Sequence, residues 1–196
     1  MYRRIIVKES RTYFGAFSLS KFFYIEKSKF YREKLKDKGV KTTEFILLKD
    51  KKLFFVEIKT TAPRIQIQKK CKNCDQYVAE KSCIRCQQAI IFNDWNIYVN
   101  DLKNKYQDSL VISLFFCSNI GLRLHKMLDK KLEISLLLVI TTTQPWALNK
   151  DYIEQIQRQL CKQLAPLLKL WGAKLIVLNR ETADKYGFIY HFKPKK

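Results

Sequence analysis

Two short apolar runs, residues 45–48 (Phe-Ile-Leu-Leu) and 53–56 (Leu-Phe-Phe-Val), flank Lys49-Asp50-Lys51-Lys52. Turn-forming residues between apolar runs of this length predict a β-hairpin. The second run extends to Ile58 and is apolar on both faces, with Leu53 and Phe55 on one and Phe54, Val56 and Ile58 on the other. Such a strand is stable only when covered on both sides, so it belongs in the middle of a layered sheet. A two-residue loop at 50–51 pairs 49 with 52 and, stepping outward, 45 with 56. A four-residue loop at 49–52 gives the same register. In either case the next opposed pair is Glu44 and Glu57. Directly opposed residues share one face with their Cβ atoms about 5 Å apart, so these two carboxylates repel. Lys59 follows on the same face. Charges at the end of a covered strand are costly unless paired or metal-bound, and the expected relief is a bound divalent cation.

An acid, a short hairpin and then acid-x-Lys at the end of a buried strand resembles the PD-(D/E)XK nuclease superfamily. The resemblance rests on Glu44, Glu57, Ile58 and Lys59, with apolar flanks on both strands. It implies that Glu44 and Glu57 bind Mg²⁺ or Mn²⁺, that the backbone carbonyl of Ile58 is a further ligand, and that Lys59 orients or activates a water attacking a phosphodiester. Glu44 stands where Asp is commoner, and Thr43 where the name-giving Pro would be. A further upstream acid often accompanies such a site. Glu9, Glu26 and Glu33 are the choices, and Glu26, after an apolar run, is assigned. A surface glutamate explains it equally well.

Composition agrees with a folded chain. Of 196 residues 47% are hydrophobic, and only five are Gly and four Pro. One domain over residues 1–196 is expected. The formal net charge is +20, spread along the chain rather than gathered in a tail. A positive folded surface favours a polyanionic partner with salt-dependent affinity. Nucleic acid is the expected partner, DNA ahead of RNA, with protein partners or a homodimer left open. No apolar run approaches the roughly 20 residues needed to span a bilayer, so no membrane partner is expected. The N-terminal residues lack a signal-peptide pattern, so a cytoplasmic location is the expectation.

Cys71-x-x-Cys74 and Cys83-x-x-Cys86 lie eight residues apart in a polar, Lys-rich segment. In a reducing compartment this spacing reads as a four-thiolate Zn²⁺ clip, inserted at 68–88. Four thiolates leave no position for water, so a structural role is expected. An Fe–S cluster or disulfides are the alternatives. Cys117 and Cys161 read as small core residues.

The remaining pattern is α/β. Residues 3–8 and 12–17 form a hairpin, 22–26 a strand, and 27–37 a helical segment stopping at Gly39. A long helix starts near Asn93-Asp94, with Asn93 as N-cap, and buries Trp95, Val99, Leu102, Tyr106, Leu110 and Leu114. It runs to about residue 118. Residues 134–141 form a buried strand. Asn149 caps a second helix, which Pro166 kinks or divides and Gly172 ends. Residues 174–178 form the last strand, followed by a short helix at 181–186. The resulting mixed central sheet flanked by helices is the fold class expected, and over residues 40–180 its order of elements resembles that of the restriction-endonuclease-like core which the nuclease resemblance implies. His125 and His191 sit in no ligand motif, and no Gly-rich phosphate loop is present. Lys105, Gln87 and Gln88 are further phosphate-contact candidates, with a solvated helix face the favoured reading of all three.

Overall fold

The computed structural model describes residues 4–9, 11–61, 63, 69–70, 77–78, 87–115, 132–142 and 149–192. Its centre is a five-stranded mixed sheet. Numbered in chain order, β1 is Arg4–Glu9, β2 Thr12–Ser18, β3 Phe22–Phe23, β4 Phe45–Lys49 and β5 Lys52–Lys59. A short pair, β6 (Lys69–Lys70) and β7 (Tyr77–Val78), precedes the long helix α1, Gln87–Phe115. Then come β8 (Glu133–Ile140), α2 (Lys150–Gln163), α3 (Ala165–Trp171), β9 (Lys174–Asn179) and α4 (Arg180–Lys185). The sheet order is β3-β4-β5-β8-β9. Strands β3, β4 and β5 are antiparallel neighbours, whereas β5, β8 and β9 run parallel.

β5 is the middle strand, and its alternation divides the core in two. Leu53 and Phe55 join Leu136, Leu138 and Ile140 of β8 beneath α1, α2 and α3. Phe54, Val56 and Ile58 face the other way, against the β1–β2 hairpin, Ala183 of α4 and Phe188. The two-faced apolar strand is thus covered on both sides, as its sequence requires.

The hairpin closes through a two-residue loop. Lys49 pairs with Lys52, and the ladder runs to Phe45 opposite Val56. Asp50 (φ 50°) and Lys51 (φ 61°) both adopt the left-handed conformation, which a two-residue hairpin turn matching the sheet twist demands. On the hairpin layer, β1 and β2 pair with an irregularity between Ile5 and Val7. Gly15, at φ 144°, lies opposite it, and a Cβ there would come within 2.6 Å of the Ile5 carbonyl. Gly15 N–H donates to Phe188 O, joining this layer to the C-terminal segment.

Several expectations need correction. α1 begins at Gln87, so Asn93 lies inside the helix and does not cap it. Val99, Leu102, Tyr106 and Leu110 are buried as expected, but Leu114 is exposed. β3 is only Phe22–Phe23. The chain leaves the sheet there because Ser28 turns it, its hydroxyl donating to Ile25 O and accepting from Tyr31 N–H. A π-helical turn, Tyr31–Leu35, and a 3-10 turn, Lys36–Lys38, follow and end at left-handed Gly39. Asn149 does cap α2, accepting from Asp151 N–H. Pro166 divides the helical run at Leu164, standing in the first turn of α3 where no N–H is needed. Cys161 is partly buried beside the core. Cys71, Cys74, Cys83, Cys86, Cys117 and His125 lie outside the described residues, as does the basic tail at 193–196. No helix among the described residues is long and apolar enough to cross a membrane.

Candidate functional site

Three elements meet at the C-terminal end of β5. The hairpin ladder ends at Phe45 and Val56, so Glu44 and Glu57 stand one step beyond, on the face that looks toward α1. Lys59 is two residues further on that face. The loop before β4 is strapped to α1: Lys41 N–H donates to Asp108 Oδ2 at 3.0 Å, and Thr43 N–H to Ser109 Oγ at 2.9 Å. β5 is extended on its other side by Thr141 N–H, which donates to Lys59 O.

Glu57 is fully buried. Its Oε1 accepts from Lys105 Nζ at 2.7 Å and lies 3.1 Å from Lys59 Nζ. Its Oε2 is buried with no hydrogen-bond partner among the described residues. Lys105 Nζ also lies 3.9 Å from Glu44 Oε1. Lys59 Nζ donates to Asp101 Oδ2 at 2.7 Å, and Lys41 Nζ donates to Asp101 Oδ1 at 2.7 Å. Three carboxylates and three ammonium groups therefore form one continuous chain of contacts. Two phenols of α1, Tyr98 and Tyr106, lie beside it with hydroxyls that lack a partner among the described residues.

Burial and charge set the proton affinities. Burial, then the Glu57 charge, raises the Glu44 pKa to about 7, against the pull of Lys105. Burial also raises Glu57, opposed by Lys105 and then Lys59. At Lys59, burial acts downward but is outweighed by Asp101 and Glu57, leaving the amine above its ordinary value. At Asp101, burial acts upward but the hydrogen bonds from Lys41 and Lys59 prevail, and its pKa falls to about 2. Tyr98 and Tyr106 are both raised, first by burial and then by neighbouring charge, so they are neutral donors.

The structure brings Glu44, Glu57 and Lys59 together. Glu26 is an exposed turn residue whose Oε1 accepts from Thr42 Oγ1 at 3.1 Å. It is near enough for its charge to act on Glu44. Ile58 turns its side chain into the opposite core layer. Lys105 is not on a solvated helix face: its side chain is only 19% exposed. Asp101, Lys41 and Tyr98 escaped the sequence reading. The signal was there, since Tyr98, Asp101, Lys105 and Ser109 recur at helical spacing beside the apolar row. His191 lies apart, with Nε2 2.9 Å from Asp184 Oδ1. Among the described residues, no group of three or more His, Cys, Asp or Glu side chains is gathered as a metal cluster.

A shallow groove of about 450 Å³ borders the network, lined by Lys41, Ile97, Tyr98, Asn100, Asp101 and Asn104. A larger groove of about 1220 Å³ crosses β9 and α2 and contains none of the sequence-predicted site residues. Comparison with protein-family models, with curated proteins and with solved structures found no match.

Proposed function

We propose that the chain is a divalent-metal-dependent nuclease hydrolysing phosphodiester bonds of nucleic acid, with DNA ahead of RNA as the substrate. The observation that carries this reading is the convergence of Glu44, Glu57 and Lys59 on one face at the end of the central strand. The open ends of parallel strands are where sheets of this kind carry ligands. The donor chemistry fits Mg²⁺ or Mn²⁺, because it is all oxygen and one buried carboxylate oxygen, Glu57 Oε2, has no partner among the described residues. Glu44, Glu57 and the Ile58 carbonyl would hold the ion, which supplies an acidified water and charge neutralisation at phosphate. Lys59 orients the attacking water and places positive charge near the developing oxyanion. Asp101 keeps that amine protonated and aimed. Glu26 stands by as the additional upstream acid. The net charge of +20 supplies attraction for the polyanionic substrate.

The inserted cysteine clip fits a structural Zn²⁺ site as part of the same reading. The antiparallel pairing of Lys69 with Val78 and Lys70 with Tyr77 closes the chain on either side of Cys71 and Cys74. Elemental analysis of the purified protein should find one zinc per chain, and a value near zero removes the clip.

A second reading is a non-catalytic, zinc-containing nucleic-acid-binding or adaptor protein on a degenerate nuclease fold. Its support is the balance of the ion-pair chain: Glu57 already has two ammonium neighbours without any metal. Incubation of the protein with single- and double-stranded DNA and RNA, with Mg²⁺ or Mn²⁺, separates the two. Cleavage that disappears in Lys59→Ala and Glu57→Gln supports the nuclease. Identical behaviour of wild type and Lys59→Ala under every condition sinks it.

A further inference from the structure

The position of Lys105 carries the argument past the proposed nuclease reading, on which this inference rests. A divalent cation shared by Glu44 and Glu57 belongs between their carboxylates. That place is already taken by a positive charge. Lys105 Nζ lies 2.7 Å from Glu57 Oε1 and 3.9 Å from Glu44 Oε1. Only one oxygen of Glu57 is used, since Lys59 also approaches Oε1, while Oε2 is buried with no partner among the described residues. The carboxylate pair is therefore neutralised but under-coordinated, which suits a hard ion better than an ammonium.

Lys105 is also able to leave. A lysine is a compact charge on a flexible four-carbon stem, and its side chain here keeps 19% of its surface exposed. Lys59 is less free, because Asp101 holds it at 2.7 Å and Asp101 is itself anchored by Lys41. A divalent ion and an ammonium at the same carboxylates repel each other strongly at such range. Of the two lysines on Glu57, Lys105 is thus the one displaced.

We propose that Lys105 is a built-in counter-ion, holding Glu44 and Glu57 together in the metal-free protein and exchanging its place for the divalent cation. The ion pair keeps the buried Glu57 and the half-buried Glu44 from standing unpaired before metal arrives. It also sets the metal affinity, since binding must displace a resident charge.

Calorimetric titration of chelator-treated protein with Mn²⁺ tests this, because a thiolate clip favours softer ions and the oxygen site takes Mn²⁺. Wild type, Lys105→Gln, Lys105→Arg and Glu57→Gln are compared. Lys105→Gln keeps a hydrogen-bond donor but removes the charge, and should bind Mn²⁺ about tenfold or more tightly than wild type. Lys105→Arg should stay close to wild type, and Glu57→Gln should lose the binding. A second measurement needs no variant: reductive methylation of wild type, read by mass spectrometry, should label Lys105 faster when Mg²⁺ is present. Equal Mn²⁺ affinity in wild type and Lys105→Gln, or unchanged labelling of Lys105 with Mg²⁺, overturns the exchange while leaving the metal site standing. Absence of Mn²⁺ binding in both wild type and Lys105→Gln overturns the exchange and the metal-dependent reading together.

Discussion

Lys105 Nζ sits 2.7 Å from Glu57 Oε1, so a helix lysine neutralises a carboxylate that is fully buried on the central strand. Removing one partner of a buried ion pair costs more than the pair contributes, because the other charge is stranded. Lys105→Ala should therefore lower the stability by about 2 kcal/mol, less than a fully stranded charge costs because Lys59 stays 3.1 Å from the same oxygen. Glu57→Gln/Lys105→Met, which removes both charges at similar volume, should recover most of that loss. Urea unfolding of the two variants beside wild type checks this. A double variant no more stable than Lys105→Ala would show that the pair is not what Lys105 contributes.

The proton affinities predict an unusual stability profile. Glu44 is raised in the folded state from 4.5 to about 7. Between those values the folded protein holds a proton that the unfolded chain has released, so stability is present below pH 4.5 and lost as pH rises toward 7. The slope for one such group is about 1.4 kcal/mol per pH unit at most. Asp101 is lowered from 3.8 to about 2, so its contribution is present above pH 3.8 and lost as pH falls toward 2. Together the two groups place their combined optimum between pH 3.8 and 4.5. Urea midpoints measured across pH in the presence of a chelator should show both limbs. Glu44→Gln should make the upper one shallower, leaving the part due to Glu57, whose pKa burial also raises, and Asp101→Asn should do the same to the lower.

The hairpin turn invites a stabilising change. Asp50 and Lys51 both have positive φ, a conformation that costs a residue with a Cβ roughly 1 kcal/mol. Turns of this type favour glycine at the second position. Lys51→Gly should raise the unfolding free energy by up to about 0.5 kcal/mol, net of the greater chain entropy that glycine loses on folding. Thermal and urea unfolding measure it. A loss of stability would mean that Lys51 contributes an interaction outweighing its backbone strain.

The hairpin and its acids were legible because strand periodicity is two and the loop is short, so counting outward from residues 50–51 fixes which side chains oppose. Helix α1 was legible in its middle, where Val99, Leu102, Tyr106 and Leu110 repeat, and not at its start. Asn93 has the chemistry of a cap, but the chain from Gln87 onward is helical as well, and the unbroken run Ala89-Ile90-Ile91-Phe92 carries no helical period to mark it. Lys105 was misread for a related reason. Hydrophobic spacing identifies the buried row and assigns its polar neighbours to solvent. Lys105 lies one residue from Tyr106, in a row that points at the strand end, and only the buried Glu57 opposite gives it a reason to be covered. Asp101 is hidden in the same way. Its role depends on Lys41 and Lys59, which are far away in the chain and brought to it by the strap between the loop before β4 and α1.

Asp101 offers the clearest separation of positioning from structure. It accepts from Lys59 and Lys41 at 2.7 Å each, and its hydrogen bond is the largest influence raising the Lys59 pKa against burial. Asp101→Asn keeps the shape and an acceptor but removes the charge. In the nuclease reading it should lower kcat by about tenfold, less than the roughly 10²–10⁴-fold expected for loss of a proton-handling group itself, and leave KM nearly unchanged. It should also move the alkaline limb of the pH–rate profile to lower pH, because Lys59 then loses its proton more readily. A purely structural role would reduce the amount of folded protein without shifting that limb. Steady-state rates across pH with Mg²⁺, corrected for the folded fraction, distinguish the two. An unshifted alkaline limb would remove Asp101 as the residue that positions Lys59.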